Sequence, residues 1–194
     1  MSLRNPPGLL AVALLMLVLL AGCGGKPFNV KPRPDLAPAT YTAEESAGGI
    51  SVKAVKVTDE DLLYETFDAN LILAGLLPVR VEVANATGAA IELKKAKFEL
   101  RSAAGRRYKA LKAKDAFKKL ISYYGITTYS KDGYRESQED FISYALDTAA
   151  PLAAGDKRAG MIFFAVPSEL AASAELILVG EKLNRSASIE LKLQ

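Results

Sequence analysis

Val79, Val81 and Val83 alternate with Arg80, Glu82 and Ala84. That period of two is the pattern of a strand with one face buried. Upstream, Ile50, Val52, Ala54, Val55 and Val57 read as a second strand with a slip in the alternation at Ala54. Asp59, Glu60 and Asp61 break it, and residues 61–67 fit one helical turn. Leu71-Ile72-Leu73 and Leu76-Leu77 are apolar, interrupted by Gly75 and closed by Pro78. Asn85-Ala86-Thr87-Gly88 signals a turn. Ile91, Leu93, Ala96, Phe98 and Leu100 follow, with a phase shift at Lys94-Lys95 that predicts a bulge or break. Ala103-Ala104-Gly105 reads as a hairpin turn into Arg107–Leu111. Residues 79–111 therefore predict strands that meander.

The period then lengthens. Phe117, Leu120, Ile121 and Tyr124 stand at i, i+3, i+4 and i+7, an amphipathic helix closed by Gly125. A second helix is expected to start at Ser137, with Asp140 in a capping-box position, and to stop before Pro151. Met161–Val166 reads as a strand buried on both faces, Ala174–Val179 as another apolar strand, and Ile189, Leu191 and Leu193 as a last alternating one. About seven strands result, with a helical pair inserted at 113–148. That count and turn spacing predict a mainly β fold, an antiparallel β-sandwich over residues 49–194.

The first 22 residues stand apart. Arg4 is the sole charge ahead of the apolar run Leu9–Leu20, and small residues precede Cys23. This is a secretory signal, and its run of about a dozen residues is short of the ~20 a spanning helix needs. Leu20-Ala21-Gly22-Cys23 resembles the lipobox of bacterial lipoproteins. The resemblance implies cleavage after residue 22, lipidation of Cys23, and a membrane partner reached through that lipid. Two or more acyl chains anchor stably. No aspartate follows the cysteine, since Gly24 and Gly25 do. In a two-membrane bacterium this implies the outer membrane, facing the periplasm. Residues 23–48, with Pro27, Pro32, Pro34 and Pro38 among Lys26, Lys31 and Arg33, are expected to form a Pro-rich tether.

The folded part resembles small immunoglobulin-like domains of secreted bacterial lipoproteins. Val79–Asn85, Phe98-Glu99-Leu100-Arg101 before a glycine turn, and Pro151–Gly155 leading to Gly160–Pro167 carry the likeness. It implies an immunoglobulin-like antiparallel β-sandwich with an inserted helical pair, in the cell envelope, and carries over no catalytic residue.

Charge excludes one class of partner. The net charge of +3 falls to about +2 once Arg4 is removed, with both signs interspersed, so nucleic acid binding is not expected. The chain has no histidine and one cysteine, which excludes the common Ser-His and Cys-His arrangements and disfavours zinc. Ser130-Lys131 spells a dyad but sits in a polar, glycine-containing stretch that reads as loop. Asp59, Glu60 and Asp61 lack the spaced ligands and turn glycine of a calcium loop, and read as a solvated acidic turn or helix start. No catalytic residue, metal or cofactor is expected.

Five of the eight tyrosines fall at positions 123, 124, 129, 134 and 144. Tyrosine pairs an apolar ring with a polar tip and suits recognition surfaces. Tyr123, Tyr129 and Tyr134 with Arg135, around a loop expected at 125–136, are the candidate binding residues; the competing reading has Tyr124 and Tyr144 packing the helices on the sheet. The expected function is a non-enzymatic envelope lipoprotein that binds another envelope component, a protein or a glycan. The alternatives are a structural or stress-related surface lipoprotein without a specific ligand, and an enzyme using Glu136, Glu139 and Asp140.

Overall fold

The computed structural model describes residues 25–33, 40–173, 175–184 and 187–194. The signal, the lipobox with Cys23, and Pro34 and Pro38 of the expected tether lie outside the described residues. Eight strands form one antiparallel sheet: β1 Ala43–Ala47, β2 Ile50–Lys56, β3 Leu76–Asn85, β4 Lys97–Ser102, β5 Arg107–Leu111, β6 Lys157–Ala165, β7 Leu176–Glu181 and β8 Ile189–Leu193. Their order across the sheet is β1-β2-β3-β6-β5-β4-β7-β8. The sheet rolls until β1 lies beside β8. Helices α1 Glu60–Phe67, α2 Ala113–Tyr123, α3 Lys131–Ser143 and the single turn α4 Ser168–Ala171 complete the described elements.

Eight strands replace the expected seven because of β1. Its sequence, Ala-Glu-Glu-Ser-Ala, has no apolar period and is mostly exposed. The turn specifies it: Gly48 and Gly49 both take positive φ, +58° and +77°, which a two-residue hairpin demands and glycine adopts without strain. That turn pairs Ala47 with Ile50 and runs the register on to Ala43 with Ala54. In β2 Ile50, Val52 and Ala54 are buried in alternation, and the phase slips after Ala54, where Val57 and not Lys56 is the next buried residue. The meander is also interrupted. β3 pairs with β6 along nine positions, and β6 separates it from β5. Val79, Val81 and Val83 point into the core as the alternation requires.

The expected tether is part of the domain. Phe28 and Val30 are each only 3% exposed. Asn29 and Lys31, between and after them, face solvent. This is an extended segment with one face buried. The prolines around it masked a short apolar alternation at positions 28 and 30 that the sequence does carry. The folded part therefore begins before Ile50.

The helical pair is likewise core rather than appendage. Phe117, Leu120 and Phe141 are fully buried, and the Phe141 ring stacks on Phe163 of β6 at 4.8 Å. The second helix starts at Lys131, six residues before Ser137. Ser130 is its N-cap, accepting from the Gly133 N–H at 2.9 Å. Gly133 reads as a loop residue in sequence, yet it is helical, and a glycine stands there because another chain segment passes over it: a Cβ would lie 2.7 Å from the Gly25 carbonyl oxygen.

Candidate functional site

Residues 25–33 lie along α3, running in the same direction. The Ser130 N–H donates to Gly25 O at 3.2 Å, at the head of the helix. Lys26 Nζ pairs with Glu136 at 2.6 Å. The buried Ser137 hydroxyl donates to Phe28 O at 2.7 Å, and the Tyr144 hydroxyl donates to Lys31 O at 3.0 Å. Arg33 donates to Ser143 O at 2.8 Å and Ala159 O at 3.0 Å. On the other flank α1 holds the segment: Lys31 N–H donates to Thr66 O at 2.9 Å and Asn29 N–H to Asp68 Oδ2 at 3.0 Å. Backbone and side-chain bonds on both sides, around two buried apolar side chains, make this a clamp.

Phe28 is the centre of an aromatic chain. It meets Phe117 edge-on at 6.1 Å and Tyr124 at 5.7 Å. Phe117 meets Tyr134 at 5.4 Å, and Tyr134 meets Tyr129 at 5.1 Å. Tyr123 meets Tyr124 at 5.1 Å. Tyr123 and Tyr129 are 52% and 38% exposed, whereas Tyr134 is half-buried against the core. Arg135 is exposed and paired with Asp132 at 3.1 Å. The structure thus joins Tyr129 to Tyr134 directly and Tyr123 to both only through Phe28, a residue whose proline-rich surroundings predict a tether. Tyr124 and Tyr144 pack the helices on the core. The loop shrinks from 125–136 to the residues between Tyr123 and Lys131.

Burial raises the phenols of Tyr124 and Tyr144 above the ordinary tyrosine range, with Asp140 adding to the rise at Tyr144. A raised folded value means the unfolded chain ionises first. Stability is therefore complete below about pH 10 and falls as pH rises through the folded values. Urea unfolding midpoints should drop between pH 8 and pH 11, and drop less in a Tyr124→Phe, Tyr144→Phe variant. Equal drops in the two proteins count against this assignment.

The other candidates find structural partners. Asp59 caps α1, accepting from the Leu62 N–H at 3.0 Å, and Glu60 accepts from Asn70 Nδ2 at 2.8 Å. Ser130 is occupied as a cap. Glu136 and Asp140 face Lys26, at 2.6 and 3.9 Å. Among the described residues, no three cysteine or acidic side chains gather as a metal site. No described helix is long and apolar enough to cross a membrane.

A groove of about 550 Å³ opens where the sheet parts. β5 touches β6 only at Ala110 and Leu111, opposite Phe164 and Phe163. Beyond that point the chain after α3 takes over the free edge of β6: Leu146 N–H donates to Met161 O at 2.9 Å and Met161 N–H to Tyr144 O at 2.7 Å. Gly160 permits this approach, since a Cβ there would lie 2.4 Å from the Leu146 Cα. Phe98, Leu146, Met161, Ile162 and Phe163 form the apolar lining, and Lys97, Lys109 and Lys112 stand at the rim together with Glu99 and Glu181. Among the described residues, no carboxylate lies within ion-pair distance of those three lysines. An apolar lining with a rim of both charges, three lysines and two glutamates, suits an amphipathic ligand. Sequence patterning missed this groove because its walls, 96–113 and 145–163, converge only through the strand order.

No family model matches the chain, and no curated protein matches it. Among solved structures it is similar to an uncharacterized beta-sandwich protein from Clostridium difficile 630, with a TM-score of 0.37 at 10% identity, over 82% of this chain and 97% of that one.

Proposed function

We propose that this chain is a non-enzymatic lipoprotein of the bacterial envelope. It is acylated on Cys23 at the outer membrane, facing the periplasm, and its immunoglobulin-like sandwich domain binds another envelope component, a protein or a glycan. One geometric relation carries the reading. The clamp places Gly25, two residues after Cys23, at the α2–α3 turn, bonded to Ser130. The groove is lined by the start of α2 and the chain after α3, the opposite end of the helical pair. Helices of eleven and thirteen residues put roughly 16–20 Å between the two ends. The anchor end and the concave end thus point apart, as a membrane-held binding head requires. The absence of histidine and of a second cysteine adds support for a non-enzymatic role.

Crosslinking and pull-down from intact cells tests this. A Lys109→Glu, Lys112→Glu variant reverses the rim charge without touching the core. It should lose a specific partner that the native chain and a Tyr129→Ala variant both retain. A partner set unchanged by the reversal removes the groove from the account. No specific partner with any of the three chains supports the structural surface lipoprotein instead.

A further inference from the structure

The anchor end carries an unusual surface. Leu120–Ser130 is eleven consecutive residues without a charge, in a chain that is 24% charged. The other two uncharged runs of ten or more among the described residues, 69–79 and 159–168, are mostly buried. This one is not: Tyr123 and Tyr129 are exposed with Thr127 and Thr128 between them, and Ile126 is half-exposed. Six large apolar side chains are exposed among the described residues, and four lie at this end. Tyr123 and Tyr129 flank the turn. Tyr64 of α1 sits beside Tyr124, and Leu73 is on the turn whose Asn70 donates to the Tyr124 hydroxyl at 2.9 Å. Lys131 follows directly, with its charge in solvent.

The chain end fixes what covers this surface. Gly25 is bonded to the turn, and two residues at full extension reach about 7 Å. A lipid on Cys23 therefore enters the bilayer within that distance of Gly25. We infer that the α2–α3 turn, through Tyr123, Ile126 and Tyr129 with Lys131 at its edge, seats in the interfacial layer of the bilayer that holds the Cys23 lipid. This rests on the lipid-anchored reading above and deepens it. Tyrosine rings sit at the boundary of acyl chains and headgroups, because they are apolar with one wet end. Threonine hydroxyls suit the same layer, and a flanking lysine meets headgroup phosphates. The domain is then held flush and in one orientation, with no spacer to swing on, and the groove faces away from the membrane.

The chain has no tryptophan, so a single one reports its own depth. The full chain, expressed with its signal and purified from membranes, is reconstituted into phosphatidylcholine vesicles with or without bromine on the acyl chains. Reporters are Tyr129→Trp, Tyr123→Trp as a second position should the first fail to fold, and Tyr108→Trp on β5, which leads into the far end of α2. The mass of the mature N-terminal peptide reads acylation separately. The expected result is an acylated Cys23, with blue-shifted emission at 129 and 123 that bromine extinguishes, and emission at 108 that it leaves alone. Acylated protein with unquenched reporters at 129 and 123 overturns the inference and leaves the anchor standing. Quenching at all three positions overturns the orientation. An unacylated mature chain overturns this inference and the lipoprotein reading together.

Discussion

Phe28→Ala lowers the unfolding free energy by about 3–5 kcal/mol, the cost of removing a buried phenylalanine without collapse of the site. Its ring is 3% exposed and lies edge-on to Phe117 and Tyr124. Phe117 lies in α2 and Tyr124 caps its C-terminus, and α2 is itself packed on the sheet, so the hole cannot be filled by a flexible surface group. A spacer residue has no such cost. The same substitution in a solvated Pro-rich tether changes stability by a few tenths of a kcal/mol, in the range of ordinary surface changes. Urea unfolding of the two proteins separates these cases. A loss under about 1 kcal/mol removes Phe28 from the core and the clamp from the account.

Gly160→Ala is the second large effect. A methyl group there meets backbone, with Leu146 Cα at 2.4 Å and Leu146 N at 2.5 Å. Backbone does not step aside as the end of a lysine does. The chain at 145–146 must leave the β6 edge, which breaks the bonds Leu146 N–H to Met161 O and Met161 N–H to Tyr144 O. Two hydrogen bonds at about 1 kcal/mol each, added to the ~1–3 kcal/mol of overpacking, give about 3 kcal/mol or more. One wall of the groove moves with that segment, so Gly160→Ala should also weaken the partner capture expected of the native chain. A stability change under about 1 kcal/mol contradicts the close approach.

These two residues show where the sequence was legible and where it was not. The alternation at Val79, Val81 and Val83 fixed both strand and buried face, and Arg107–Leu111, Ile189–Leu193 and the helix from Ala113 fell where their periods put them. Local chemistry was sufficient there. β1 was hidden because an exposed edge strand needs no apolar residues; only its glycine pair betrayed it. The start of α3 was hidden because Gly133 answers to Gly25, more than a hundred residues away. The tyrosines were legible as a cluster, and so was the packing of Tyr124 and Tyr144, but the division that half-buries Tyr134 and leaves Tyr123 and Tyr129 exposed was not. That division depends on Phe28, which two prolines in sequence had assigned to solvent. The groove was invisible for a different reason: sequence patterns do not say that β6 enters between β3 and β5.

The helical pair also proves to be a poor target for deletion. Removing 113–148 would take Phe117, Leu120 and Phe141 out of the core, so point changes at exposed positions are the informative variants.

Amide hydrogen exchange on the lipidated full chain in vesicles tests the central claim, that the chain is locked into the domain directly after its anchor. The Lys31 amide donates to Thr66 O and the Asn29 amide to Asp68 Oδ2. Both should be protected to an extent close to that of core amides such as Val81. Exchange of Lys31 and Asn29 at the rate of an unstructured peptide, with Val81 still protected, would mean that residues 25–33 are a free tether and that the domain is not held at the membrane surface by them.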